Sequence, residues 1–117
     1  MATRRKPVAP KCSESSLQRA IIDTLQARGV WCWRNNSGAT ATGSGKDRRF
    51  IQLSPKGSPD IFGVVPGGKL FGLEVKRPGE KQNENQIEWQ KKAEQYGVFY
   101  AVVTSITQAI EAVKNAT

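Results

Sequence analysis

Two acids and a lysine stand at spacings that could do chemistry. Asp60 comes just before the apolar run Ile61–Val65, and Glu74 lies near the end of the next run, Leu70–Val75, with Lys76 two residues further on. Pro66-Gly67-Gly68-Lys69 between the runs is a hairpin signature. If Val65 faces Lys69 across the loop Pro66–Gly68, Asp60 faces Glu74. Opposed residues hold their Cβ atoms about 4.5–5.5 Å apart, and like charges there are destabilising. A divalent cation compensates them, since Mg²⁺ takes oxygen ligands at about 2.0–2.1 Å. Strand alternation puts Lys76 on the same face as Glu74. Such a face suits phosphodiester hydrolysis. A metal there polarises a phosphoryl oxygen and lowers the pKa of a bound water, while Lys76 orients that water or stabilises transition-state charge. The register depends on loop length, and a four-residue turn shifts the pair by one. Singly, Asp60 after Pro59 can close a turn, and Glu74 and Lys76 can be a solvated strand face. The combination is the specific signal.

The rest of the composition narrows the partners. The chain has 117 residues, one domain on the scale of roughly 100–200 residues per domain. Hydrophobic residues make up 38% and charged residues 24%, which argues against wholesale disorder. Eighteen Lys and Arg against 10 Asp and Glu leave a net charge of +8 and a pI near 9.9, a balance that favours a polyanionic partner, nucleic acid first. Nothing approaches the run of about 20 apolar residues that a membrane span needs, and no signal peptide is visible. A soluble, cytoplasmic protein without a membrane partner is the expectation. Histidine is absent, and the cysteines are Cys12 and Cys32. That composition excludes a four-ligand zinc site and a His-based hydrolase. A disulfide can form but is unneeded. A metal must then rest on carboxylates, which selects Mg²⁺ or Mn²⁺.

These residues need a scaffold. Residues 1–12 read as a basic flexible arm and 13–117 as one domain. Ser13 caps a helix from about Glu14 whose Leu17, Ala20, Ile21 and Leu25 form one stripe, with Gly29 as its stop. A short strand follows over 30–34. Asn35 to Arg49 read as a flexible Gly/Ser/Thr/Asn loop, and 50–53 as a brief strand. After the hairpin, a helix spans about Asn83 to Tyr96. The continuous apolar run Val98–Val103 is expected to be a buried strand, parallel to its predecessor because the connection is a crossover. Ser105 caps a last helix with Ile106, Ala109, Ile110 and Val113 on one stripe. The order is helix, strand, hairpin, helix, strand, helix: an α/β fold with a mixed sheet and flanking helices.

Ser58-Pro59-Asp60 followed by Glu74-Val75-Lys76 is the PD-(D/E)xK nuclease pattern, which implies a restriction-endonuclease-like core. More closely, the chain resembles the small, single-domain, phage-type branch of the VRR-NUC (virus-type replication-repair nuclease) family. The resemblance runs through Glu14-Ser15-Ser16-Leu17-Gln18, Trp33-Arg34-Asn35-Asn36-Ser37-Gly38, Lys56-Gly57-Ser58-Pro59-Asp60-Ile61, Glu74-Val75-Lys76-Arg77-Pro78-Gly79, and Gln86 three residues before Trp89. It implies that Asp60, Glu74 and the Val75 carbonyl hold the metal and that Lys76 is the catalytic lysine. It also implies that Glu14 approaches the metal or its water and that Gln86 supports the site. The implied activity is Mg²⁺- or Mn²⁺-dependent DNA cleavage by a homodimer acting on branched DNA such as four-way (Holliday) junctions, in the host cytoplasm if the gene is a phage's. A dimer suits paired cuts.

Further candidates are cationic or aromatic. Arg34, Lys46, Arg48, Arg49 and Lys56 flank the proposed site as candidate phosphate clamps, with Asn36 and Arg77 beside them. Trp31, Trp33 and Trp89 can stack on bases, although core or dimer packing is the plainer reading. Glu80, Glu84 and Glu88 read as solvent-facing helix charge. Gly43-Ser44-Gly45-Lys46 imitates a phosphate loop, but Thr40 and Asp47 stand where that motif needs Gly and Ser or Thr, so no nucleotide cofactor is expected. The competing function is a non-catalytic nucleic-acid-binding module, which would retard DNA with or without Mg²⁺ and never nick it. An RNA-binding protein would have no need of Asp60 and Glu74.

Overall fold

The computed structural model describes residues 13–36, 39–52 and 54–117. The arm expected over 1–12, and Leu53 of the expected brief strand, lie outside them. Helix α1 (Glu14–Ala27) begins where the Ser16 N–H donates to the Ser13 hydroxyl at 3.1 Å. Strand β1 (Trp31–Arg34) follows, then β2 (Ala39–Thr42), β3 (Arg49–Gln52), β4 (Ile61–Val65) and β5 (Lys69–Val75). Helix α2 (Glu84–Gln95), strand β6 (Phe99–Val103) and helix α3 (Ile106–Ala116) complete the chain.

The main sheet has the order β1-β4-β5-β6, with β4 antiparallel to both β1 and β5, and β6 parallel to β5. Helix α2 is the crossover, as the length of the connection predicts. Val65 pairs with Lys69 and Ile61 with Leu73, which is the register read from the three-residue loop. Alternation then sorts the sheet's two faces. Phe71, Leu73 and Val75 are buried with Ile61 against Ile21 and Leu25 of α1, and Ala109 of α3 packs into the same core. The other face turns Phe62 and Tyr100 toward Trp89 of α2, at ring-centroid distances of 5.7 and 5.9 Å. No helix among the described residues is long and apolar enough to cross a membrane.

Three expectations need correction. Residues 35–49 are not all loop: β2 and β3 pair as a separate antiparallel ribbon, Thr42 opposite Arg49. Its turn includes a short 3-10 segment at Gly45–Asp47, and Gly43 (φ 79°) comes so close to the Asp47 carbonyl that a Cβ would lie 2.4 Å from its oxygen. Glycine and serine, which suggest a loop by composition, here make the turn.

Strand β6 is not buried along its whole length: it lies at the sheet's edge, and its Val102 is 37% exposed. Its apolar run persists because α2 and α3 cover opposite faces of it. Trp89 is half-buried between Phe62 and Tyr100, while Trp31 is 69% exposed and meets Trp33 in a tilted ring contact at 5.8 Å, which leaves base stacking and packing against a second copy both open to it. Finally, Glu80 precedes α2 instead of riding on it.

Close packing places Asp60. Pro59 is buried flat against β5, and a Cβ at Gly72 would sit 2.6 Å from the Pro59 ring. Gly72→Ala is therefore expected to push the Pro59-Asp60 corner off the strand and cost about 1–3 kcal/mol, the usual range for overpacking. A urea melt checks this, with an unchanged midpoint counting against the packing argument.

Candidate active site

Asp60 precedes β4, Glu74 is the penultimate residue of β5, and Lys76 follows the strand's end. The hairpin register brings the two acids together. The Val75 N–H donates to Asp60 Oδ2 at 2.8 Å, which anchors that carboxylate to the partner strand. Glu74 is 3% exposed; its Oε1 accepts from Gln86 Nε2 at 2.8 Å, and its Oε2 is buried with no hydrogen-bond partner. A carboxylate oxygen kept from water without a donor is costly. A solvated strand face is thereby excluded for Glu74.

Protonation follows from this crowding. Burial, and then the Asp60 charge, pushes Glu74 up to about 9. Burial also raises Asp60, although the Val75 N–H, the neighbouring Glu74 carboxyl, Lys76 and Arg34 oppose it. The pair thus retains a proton at neutral pH unless a cation replaces it. The positive charge of Lys76 opposes the upward shifts of Asp60, Glu74 and Glu14, so its ammonium lies within electrostatic reach of all three.

Gln86 has two tasks. Its N–H donates to Asn83 Oδ1 and its Oε1 accepts the Asn83 N–H, both at 2.9 Å, forming the capping box that starts α2. Its amide nitrogen is left for Glu74. Gly57 permits this approach, because its φ of 84° and missing Cβ let the 54–60 loop lie on the backbone of Asn85.

Glu14, at the start of α1, is drawn toward the site less fully. Its carboxyl meets that of Glu80, and burial together with that contact raises its pKa. Among the described residues no three His, Cys, Asp or Glu side chains form a ready metal cage. Two acid pairs meet, Asp60 with Glu74 and Glu14 with Glu80.

The candidate phosphate contacts divide by position. Arg34 is electrostatically within reach of Asp60. Arg77 is engaged: its Nε donates to Glu80 Oε1 at 2.7 Å, which holds the Glu80 carboxyl below the ordinary range. Lys56 lines a groove of about 470 Å³ with Trp89, Lys91 and Lys92 of α2. Asn36 is exposed, with its carbonyl accepting from the Ser54 hydroxyl. Lys46, Arg48 and Arg49 stand on the β2–β3 ribbon.

Sequence reasoning missed three participants. Glu80 engages both Arg77 and Glu14. Tyr100 lies within electrostatic reach of the pair, its phenol raised by burial and by the Glu74 charge. Gln82 Nε2 donates to the Tyr100 hydroxyl and to Gln90 Oε1, both at 3.0 Å. Only the spacing of Tyr100 within the last strand offered a signal, since it shares a cross-strand row with Gly72 and Phe62.

An α/β domain with a buried acid, Glu74, paired with a half-buried one, Asp60, at one end of a mixed sheet is the class this geometry describes. The chain belongs to the VRR-NUC family: residues 12–106 match the VRR-NUC domain model. A solved structure described as a VRR_NUC domain superposes with a TM-score of 0.60, covering 86% of this chain and 94% of that one at 20% identity, a likeness of fold. No curated protein sequence matches. The family is one of nuclease domains, so the chain carries a nuclease-type domain whose substrate class is nucleic acid.

Proposed function

We propose that this domain is an endonuclease that hydrolyses DNA phosphodiesters with Mg²⁺ or Mn²⁺ held by Asp60 and Glu74. The observation that carries the reading is the buried, partnerless Glu74 Oε2 beside Asp60. An all-oxygen pair that traps a proton suits a hard divalent cation, with the Val75 carbonyl and Glu14 as the further ligands. When bound, the cation supplies Lewis-acid stabilisation of charge growing on the phosphoryl oxygens.

The chain's own groups do the rest. Lys76 donates hydrogen bonds to the attacking water or to the developing charge. Gln86 fixes the Glu74 carboxylate in one orientation, and the Val75 N–H does the same for Asp60. Arg34 holds a flanking phosphate. Branched DNA, four-way junctions included, is the substrate that the resemblance to small phage members implies, with a homodimer presenting two sites for paired cuts.

A cleavage assay with Mg²⁺ over linear, flapped, forked and four-way DNA tests this reading. Nicking that stops in EDTA is expected, fastest on the branched forms. Retardation of DNA without cutting under any divalent ion would instead identify a binding module.

A further inference from the structure

We propose that the β2–β3 ribbon is an arm that enters the major groove of the duplex flanking the cut, where Lys46 and Arg49 neutralise backbone phosphates. This rests on the DNA-nuclease reading and adds to it a second contact region, away from the carboxylates.

The ribbon pairs with no strand of the main sheet. Every described side chain from Thr42 to Arg49 is exposed. Between Ala39 and Gln52 there are three cations, Lys46, Arg48 and Arg49, and one acid, Asp47. At the turn, Gly43, Ser44 and Gly45 bring no bulky side chain, so backbone can come close to phosphate.

The base of the ribbon is tied to the site. Asn35 Nδ2 donates to the Pro59 carbonyl at 2.8 Å and to Ser58 Oγ at 3.0 Å, and the Asn35 N–H donates to the Asp60 carbonyl at 2.8 Å. Ser54 Oγ closes the other leg onto the Asn36 carbonyl at 2.6 Å. This clasp sets the arm's origin relative to Asp60. Whatever the tip grips is therefore joined to the site through this one fastened base.

Shape selects the partner. Two strands lie about 4.8 Å apart, and the B-DNA major groove, about 12 Å wide, admits such a ribbon. The deep, narrow major groove of A-form RNA does not. Four-residue strands reach roughly 13 Å at 3.4 Å per residue, about four base steps along a duplex rising 3.4 Å per step.

The test compares the full-length chain with K46A/R49A, and with K46R/R49K as the charge-keeping control, for binding to duplex-flanked DNA in Ca²⁺ across a salt series. Loss of two phosphate contacts should flatten the plot of log K against log salt by about 1.8, while the control keeps the parent slope. Shortening the flank below about four base pairs should weaken the parent chain to the level of the double variant and leave the variant unchanged. A merely structural role for the ribbon would not depend on flank length. Parental cleavage and binding with an unaltered slope in K46A/R49A would overturn the arm alone. A parent chain that neither binds nor cuts DNA would overturn the nuclease reading, and this one with it.

Discussion

Asp60→Asn is expected to lower DNA cleavage about 10²–10³-fold, the range for removing one charge-stabilising group from a reacting centre, with fold and DNA retardation largely retained. Retention of the fold follows from the geometry. Asparagine keeps an oxygen to accept the Val75 N–H, so the link from the 54–60 loop to β5 survives. What is lost is one of two negative charges on which a divalent ion would rest. Lys76→Ala should be as damaging, for the opposite reason: it removes the positive charge that both Asp60 and Glu74 feel. Single-turnover cleavage in Mg²⁺, with a thermal melt and a gel shift on each variant, checks the pair. Cutting by either purified variant at the parental rate would remove these residues from the reaction.

The second large effect concerns pH. Glu74 has an ordinary value of 4.5 and is pushed up to about 9 in the folded chain. Between those values the native state keeps a proton that the unfolded state has released. The stabilisation is complete below about 4.5 and is lost as pH rises toward 9. In EDTA, the parent chain should therefore melt at a lower temperature at pH 8.5 than at pH 5. Glu74→Gln, which can still accept from Gln86 and can donate to Asp60, should flatten the profile. A difference of at least about 2 kcal/mol is expected after discounting for the shared proton, or roughly 8 °C at the conversion usual for a chain of this size. Mn²⁺ should restore the parent at pH 8.5 by binding the ionised pair, and do little for the variant. Parallel profiles for the two chains would mean that Glu74 is not the titrating group.

Much of the scaffold was legible because its signals are local. Ser13, Gly29 and Ser105 mark helix ends with cap chemistry, and the Pro66–Gly68 loop sets a register that carries Asp60 to Glu74 without knowledge of any other contact. The site was legible to the same extent, through the residues on that hairpin. What stayed hidden depends on packing between segments distant in sequence. Glu80 looks like another helix acid until its loop meets the start of α1. Tyr100 looks like one more apolar strand residue until α2 lies over it. The position of β6 at the edge is concealed by two covering helices, which demand the same apolar run as a central strand. The β2–β3 ribbon was obscured by composition, since Ala and Thr between glycines satisfy a short ladder as well as a loop.

The clasp at Asn35, Asn36 and Ser54 has an evolutionary corollary. An excursion that departs and returns at a single fastened point can lengthen or shorten by paired residues, one on each leg, without shifting the acids beside it. Relatives could therefore differ in how far they span along a substrate while sharing one chemistry, and grafting a longer or shorter excursion between residues 36 and 54 offers a route to retuning substrate choice by design.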